Sequence, residues 1–278
     1  MTNFKMPAIG IILALALSCA FIVALCNTRT KGPIKQTERQ KSFAEKGFAV
    51  LELFTSEGCS SCPAAEDLLA HVQEEAADKP VYVLAYHVDY WNRLGWKDKF
   101  SSSAFSKRQY EYHDWLSSQV YTPQLVVNGR SDVVGSDVPA VRRAVEKSMG
   151  DGATATLELR SQEESGMINL EYEVASHDPG QRSANQLVIA VVQKHSVSKV
   201  DRGENAGLTL AHAQIVRKLY KFELNDNKGS VKIDVPDDLN PQDWEIIGMV
   251  QDERSGFIKA ACKFSAVAKV IIDAAEHR

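Results

Sequence analysis

An α/β segment followed by a mostly antiparallel, sandwich-like β segment, behind an N-terminal apolar helix, is the fold class this sequence predicts. Residues 48–54, 64–76 and 81–88 run apolar, helix-periodic and apolar again, the pattern of a strand, an amphipathic helix and a second strand. From residue 153 the period changes to two, with Ala155, Leu157 and Leu159, then Ile168, Leu170, Tyr172 and Val174, alternating with polar neighbours. Residues 7–26 are almost wholly apolar, with no charge between Lys5 and Arg29.

Taken in order, residues 1–26 read as a signal peptide or signal-anchor helix, because twenty helical residues span about 30 Å, one hydrocarbon core. Ser18-Cys19-Ala20 and Ala24-Leu25-Cys26 are both imperfect cleavage sites. The cations Arg29, Lys31, Lys35, Arg39 and Lys41 follow the apolar stretch, which by itself favours a cytoplasmic body. Large domains are translocated regardless of such charges, so export is the expectation: a periplasmic body, or one tethered to the membrane and facing the periplasm, with the membrane as a partner if the segment stays uncleaved. Residues 27–46 are a polar linker.

Residues 47–150 form the α/β unit. Its first helix starts near Pro63, buries Ala64, Ala65, Leu68, Leu69, Val72 and Ala76, and stops before Lys79-Pro80. Strand, helix and strand in this order make a right-handed crossover with parallel strands, so both strands end at one edge of the sheet, where ligands gather in open α/β sheets. Residues 101–117 and 137–149 are predicted helices, and Asn128-Gly129 a hairpin turn between short strands at 124–127 and 132–134. Residues 151–278 are the β-rich region with a C-terminal tail, carrying strands near 187–192, 231–235, 245–250 and 257–264. Residues 208–224 suit strand or helix equally.

The composition, 44% hydrophobic and 24% charged with a net charge of −4, is globular and gives no basic stripe, which excludes nucleic acid as a partner. Five cysteines do not make a disulfide framework: Cys19 and Cys26 sit in the apolar segment, and Cys262 stands among Ala260, Ala261 and Phe264 as a core residue. Cys59 and Cys62 are different. They fall at the junction of the first strand and its helix, where unpaired backbone N–H groups and the helix dipole favour thiolate.

A helix terminus contributes up to ~2 kcal/mol, about one to one and a half pKa units from a thiol value near 8.5. Cys59, ahead of the helix, suits the attacking role and Cys62, in its first turn, the resolving one; Glu57 opposes thiolate formation if its carboxylate turns inward. A structural staple is the bland alternative, yet so short a loop restrains the unfolded chain by only about 2 kcal/mol. A zinc site would need two further ligands, and no second cysteine pair exists; copper held by the sulfurs and His87 stays open as a non-catalytic, copper-handling or partner-binding alternative. No cofactor is required beyond the redox-active Cys59–Cys62 disulfide, and no metal ligand is assigned.

Glu52-Leu53-Phe54-Thr55-Ser56-Glu57-Gly58-Cys59-Ser60-Ser61-Cys62-Pro63, His87-Val88-Asp89-Tyr90-Trp91 with Leu94-Gly95-Trp96, and Tyr121-Thr122-Pro123-Gln124 with Val127-Asn128-Gly129 resemble a bacterial secreted thioredoxin-like family, catalogued as domain of unknown function 1223. Arg202-Gly203-Glu204-Asn205-Ala206-Gly207 with Leu210, His212, Val216 and Arg217 extends the likeness over residues 47–265. Asn92, Lys99 and Leu208 depart from it. The resemblance implies a thioredoxin-like fold in the first unit, with Pro123 as a cis-proline that faces the cysteines and, with Thr122, binds the substrate backbone. It points to a thiol–disulfide oxidoreductase whose partner is a protein thiol or disulfide.

The remaining candidates are auxiliary. His87 ends a strand at the active edge and suits proton transfer, copper binding or a structural hydrogen bond. Asp89 is placed to orient His87 or to cap the next turn, and Glu52, in an apolar strand, is a candidate acceptor for the Cys62 proton. Tyr90, Trp91 and Trp96 each fit a substrate groove or the core, Trp91 being the substrate-binding candidate. His212 and Arg217 read as structural or interface residues.

Overall fold

The computed structural model describes residues 40–41, 47–77, 79–164, 167–176, 184–236, 238, 240 and 242–264. The predicted apolar helix at 1–26, most of the linker and the tail beyond 264 lie outside the described residues. Among the described residues no helix is long and apolar enough to cross a membrane.

The elements are β1 (Gln40–Lys41), β2 (Ala49–Thr55), α1 (Cys62–Glu75), β3 (Val81–His87), a 3-10 helix (Tyr90–Leu94), α2 (Ser103–Leu116), β4 (Gln124–Val127), β5 (Ser131–Val134) and α3 (Val138–Gly150). Seven strands follow: β6 (Ala155–Glu164), β7 (Met167–Ser176), β8 (Asn185–Lys199), β9 (Thr209–Glu223), β10 (Lys228–Ile233), β11 (Trp244–Asp252) and β12 (Ile258–Phe264). The described residues are thus β-rich with few helices. An eight-stranded mixed sheet has the order β12-β11-β8-β9-β3-β2-β4-β5, and a four-stranded antiparallel sheet the order β1-β6-β7-β10.

Strands β2 and β3 are parallel and in register from Ala49↔Val81 to Thr55↔His87, as a βαβ crossover requires. Their carboxyl ends therefore sit side by side. The ambiguous segment at 208–224 is strand β9, which pairs antiparallel with β8 and meets β3 in parallel at Ala85↔Ile215. The large sheet therefore continues from the α/β unit into the β-rich region.

Parity sorts the side chains. Leu51 and Leu53 of β2 and Val81 and Val83 of β3 pack with Leu68, Leu69 and Val72 of α1 and Val141 of α3. Val50, Phe54, Tyr82, Leu84 and Tyr86 face the other way, onto Phe105 and Tyr112 of α2, in a core that extends through Val188, Ala190 and Val192 of β8. Leu187, Ile189 and Val191 meet Leu157, Leu159 and Leu170 of the small sheet.

Local chemistry explains the connections. Ser102 caps α2 by accepting from the Ala104 amide, and Asp137 caps α3 by accepting from the Ala140 amide. Asn128 and Gly129 both have positive φ, 49° and 63°, the geometry of a two-residue hairpin turn. The Asn128 side chain accepts from the Val50 amide and donates to the Phe48 carbonyl, which locks the hairpin to β2. A Cβ on Gly129 would come within 1.9 Å of the Gly256 carbonyl oxygen, so only glycine fits there.

Candidate functional site

The site grows from the shared end of β2 and β3. After Thr55 the chain turns, with the Cys59 amide donating to the Ser56 carbonyl and the Cys62 amide to the Cys59 carbonyl, and α1 begins at Cys62 with Pro63 in its first turn. Cys59 and Cys62 are joined in a disulfide, their Cα atoms 5.4 Å apart. Both cysteines are buried while Ser60 and Ser61 are exposed.

A strap formed by residues 201–207, between β8 and β9, holds this turn. The Asn205 amide donates to the carbonyls of Glu57 and Cys59, each at 2.9 Å, and the exposed Glu204 carboxylate accepts from the Ser60 amide at 3.0 Å. Gly203 and Gly207 take positive φ, and the Gly207 amide donating to Val200 closes the strap at its base. These residues carry part of the family resemblance, but no local pattern said that they close on the cysteines.

Thr122 and Pro123 lie just ahead of β4, two and one residues beyond the Phe54↔Gln124 pair and so beside the end of β2. Their peptide bond is cis, as the resemblance implies, and the Pro123 carbonyl accepts from the Gly135 amide. Trp91, in the 3-10 helix, donates from its indole N–H to Thr122 Oγ1 at 2.9 Å, and its side chain lies over Gly58. Trp91 thereby links the cysteine turn to the Thr122-Pro123 segment. Trp96 donates to Glu57 Oε2 at 2.7 Å, so both indoles are engaged within the site.

His87 and Asp89 separate. His87 faces the α1 side, and its Nδ1 lies 2.7 Å from Oδ2 of Asp98, not of Asp89. Asp98 also accepts from the Glu57 amide, at 2.9 Å through the same oxygen. Asp89 instead precedes the 3-10 helix and exchanges hydrogen bonds with Ser106 of α2. Asn92 holds this connection by accepting from the Asp98 amide and donating to Ser101, and Lys99 reaches the Val197 carbonyl of β8.

Glu52 lies on the opposite face of β2 from α1 and the cysteines, which corrects its expected role as acceptor for Cys62. Parity is the reason: Glu52 points with Val50 and Phe54 toward α2, where Arg108 Nε donates to Oε1 at 2.7 Å and the Tyr112 hydroxyl donates to Oε2. The carboxylates beside the pair are Glu57 and Glu66. Glu66 Oε1 accepts from Thr55 Oγ1 at 2.6 Å, and Oε2 lies 2.6 Å from His212 Nδ1. The other His212 nitrogen is 3.4 Å from Glu57 Oε1.

Burial alone would strip His212 of its charge, but the two carboxylates outweigh it and raise its pKa to about 9. Burial likewise pushes Glu57 up against hydrogen bonds from His212, Ser198 and Trp96, and the bonds prevail, leaving its pKa low. For Asp98 the burial penalty is overcome chiefly by His87, and its carboxyl is also held low. Cys262 is free, buried and lies in the core beneath the small sheet; burial pushes its thiol well up, which keeps it protonated and inert.

Fold and site together define a β-rich protein with a mixed sheet and a strapped Cys-x-x-Cys disulfide at a strand-to-helix junction. The chain belongs to the family described as protein of unknown function (DUF1223), which matches residues 50–251. Among solved structures, the chain is similar to an Agrobacterium tumefaciens protein determined by a structural genomics consortium, at 26% identity and a TM-score of 0.60, over 80% of this chain and 95% of that one. HBP35 of Porphyromonas gingivalis shares the fold at 18% identity and a TM-score of 0.63, over 80% of this chain and 76% of that one. No curated protein matches the chain.

Proposed function

We propose that the protein is a thiol–disulfide oxidoreductase of thioredoxin type, acting outside the cytoplasm on protein thiols or disulfides. The observation that carries this reading is the position of the Cys59–Cys62 disulfide, at the N-terminus of α1 and at the edge where β2 and β3 both end. The strand order β3-β2-β4-β5, with β2 and β3 parallel and β4 and β5 antiparallel to their neighbours, supports a thioredoxin-like core. The apolar sequence at 7–26 supports export or tethering.

In the reducing direction the Cys59 thiolate attacks one sulfur of a substrate disulfide. The substrate S–S bond breaks, a mixed disulfide forms, and the first substrate thiolate leaves and takes a proton from water. The Cys62 thiolate then attacks Cys59 Sγ, releases the second substrate thiolate and closes the Cys59–Cys62 disulfide, so two electrons pass to the substrate. Oxidation is the reverse sequence. Thr122 and Pro123 border the place where the substrate chain would lie, with Trp91 beside them.

A trapping experiment tests this. A Cys62→Ser variant should accumulate a mixed disulfide with an oxidised peptide substrate, and a Cys59→Ser variant should accumulate none. Absence of any mixed disulfide with Cys62→Ser, together with no reduction of the substrate by the reduced wild-type protein, would refute the reading.

A further inference from the structure

Behind the disulfide lies a buried cluster that thiol–disulfide exchange does not use. His87 and His212 pack edge to face with ring centroids 5.1 Å apart, under the ring of Phe100. Ligand-capable atoms of Glu66, His87 and His212 all lie within 4.8 Å of one another, and all three residues are buried. Asp98 occupies Nδ1 of His87, which leaves Nε2 as the atom His87 has to offer. That Nε2 is buried without a hydrogen-bond partner, whereas Nε2 of His212 and Oε1 of Glu57 pair with each other at 3.4 Å.

A closed structural network would satisfy the His87 nitrogen, since a bare polar atom in the interior costs about 1–3 kcal/mol. A bare imidazole nitrogen within ligand distance of a second histidine and a carboxylate marks a place built to receive something. An imidazole held by a carboxylate at one nitrogen and bare at the other is the usual condition of a metal-ligating histidine. The charges agree. Glu57, Glu66 and Asp98 are three buried carboxylates, and no lysine or arginine pairs with any of them among the described residues.

We propose that Glu66, His87 and His212 form a binding site for a divalent first-row cation of the zinc class, with Asp98 fixing the tautomer of His87. Two imidazoles and a carboxylate suit such a borderline ion, and with the cysteines paired in a disulfide the set contains no thiolate to favour Cu(I). Metal bonds of about 2.0–2.2 Å in a tetrahedral site place donors ~3.3–3.6 Å apart, so donors within 4.8 Å of one another close on an ion with side-chain shifts of about 1 Å. Loading the site exchanges the His212 Nδ1 contact with Glu66 for the ion. Glu66 lies four residues after Cys62 on the same face of α1, which puts a fixed cation one helical turn behind the redox pair.

The test uses the full-length chain in detergent, stripped with a chelator, with the disulfide intact, and titrated with Zn²⁺. One Zn²⁺ per chain should remain after desalting in the wild type and in the Cys59→Ser/Cys62→Ser variant. His212→Gln and Glu66→Gln should each bind at least ~100-fold more weakly, and Asp98→Asn about 10–100-fold more weakly. Co²⁺ in the same site should give d–d bands without thiolate-to-metal charge transfer. Melting curves of the chelated variants separate a lost ligand from a lost fold. No metal retained by the wild type, retention unchanged in a folded His212→Gln protein, or binding abolished by the cysteine substitutions would overturn the proposal. Disulfide exchange by the metal-free protein is a separate readout, so either reading can fail without the other.

Discussion

Two buried charge clusters lie on opposite sides of strands β2 and β3, and they are built on different principles. On the α2 side, Glu52, Arg108, Tyr112 and Gln251 form a closed network: both Glu52 oxygens are occupied, Arg108 also donates to Tyr112 and Gln251, and Gln251 donates to Tyr112 and to the Gly256 carbonyl. On the α1 side, Glu57, Glu66, Asp98 and His212 are paired among themselves and with His87, but Nε2 of His87 is left bare beside the cysteine turn. The first cluster fastens α2 to β2 and β11, with the buried Tyr86 hydroxyl beside Arg108 as an unpartnered neighbour. The second accepts the cost of an open nitrogen behind the cysteine turn, as functional sites do.

The largest way to break this comparison is to open the closed cluster. Glu52→Ala strands a buried guanidinium and should cost about 3–5 kcal/mol by denaturant unfolding. The double variant Glu52→Leu/Arg108→Met should recover much of that loss, because it removes both charges together.

The open cluster should instead answer to pH. The folded pKa of His212 is raised to about 9 from an ordinary 6.5, so its stabilisation is complete below about 6.5 and disappears as pH climbs through 9. The chelator-treated protein should therefore lose a few kcal/mol of stability between pH 6.5 and 9. The His212→Gln protein should lack that slope, and an equal slope in both would show that the cluster does not hold the charge assigned to it.

The strap sharpens the comparison further. Asn205→Ala removes two hydrogen bonds from the turn and should cost about 1–2 kcal/mol while speeding reduction of the Cys59–Cys62 disulfide by dithiothreitol several-fold. An unchanged reduction rate would mean that the strap does not guard the pair. The smallest effect belongs to Cys262→Ala, which lies in neither cluster: a loss of about 1 kcal/mol from the core with no change in redox behaviour.

Much of this was legible in the chain, and the gaps have physical causes. The strand, cysteine turn and helix at 48–76 follow from local period and helix-start signals, and the Asn128-Gly129 turn from its two residues with positive φ. The faces of β2 were hidden because a strand buried on both sides is apolar throughout, so its run does not say that Glu52 points away from α1. The contact of Glu66 with His212 spans 146 residues, and no local pattern encodes such a meeting. It depends on β9 joining β3, and the sequence at 208–224 left even its strand character open. Asp98 displaced Asp89 as the partner of His87 for a similar reason: the 3-10 turn sends Asp89 toward Ser106 and brings the later residue back beneath the strand end.

The reduction potential of the Cys59–Cys62 pair, taken to equilibrium in defined thiol–disulfide buffers, tests the central claim most directly. Thiol–disulfide exchange predicts a single reversible two-electron transition between about −270 and −120 mV, the range of exchange catalysts, present in Cys262→Ala and absent in Cys59→Ser. A midpoint below about −300 mV, where structural disulfides lie, would make the pair a staple and contradict the account.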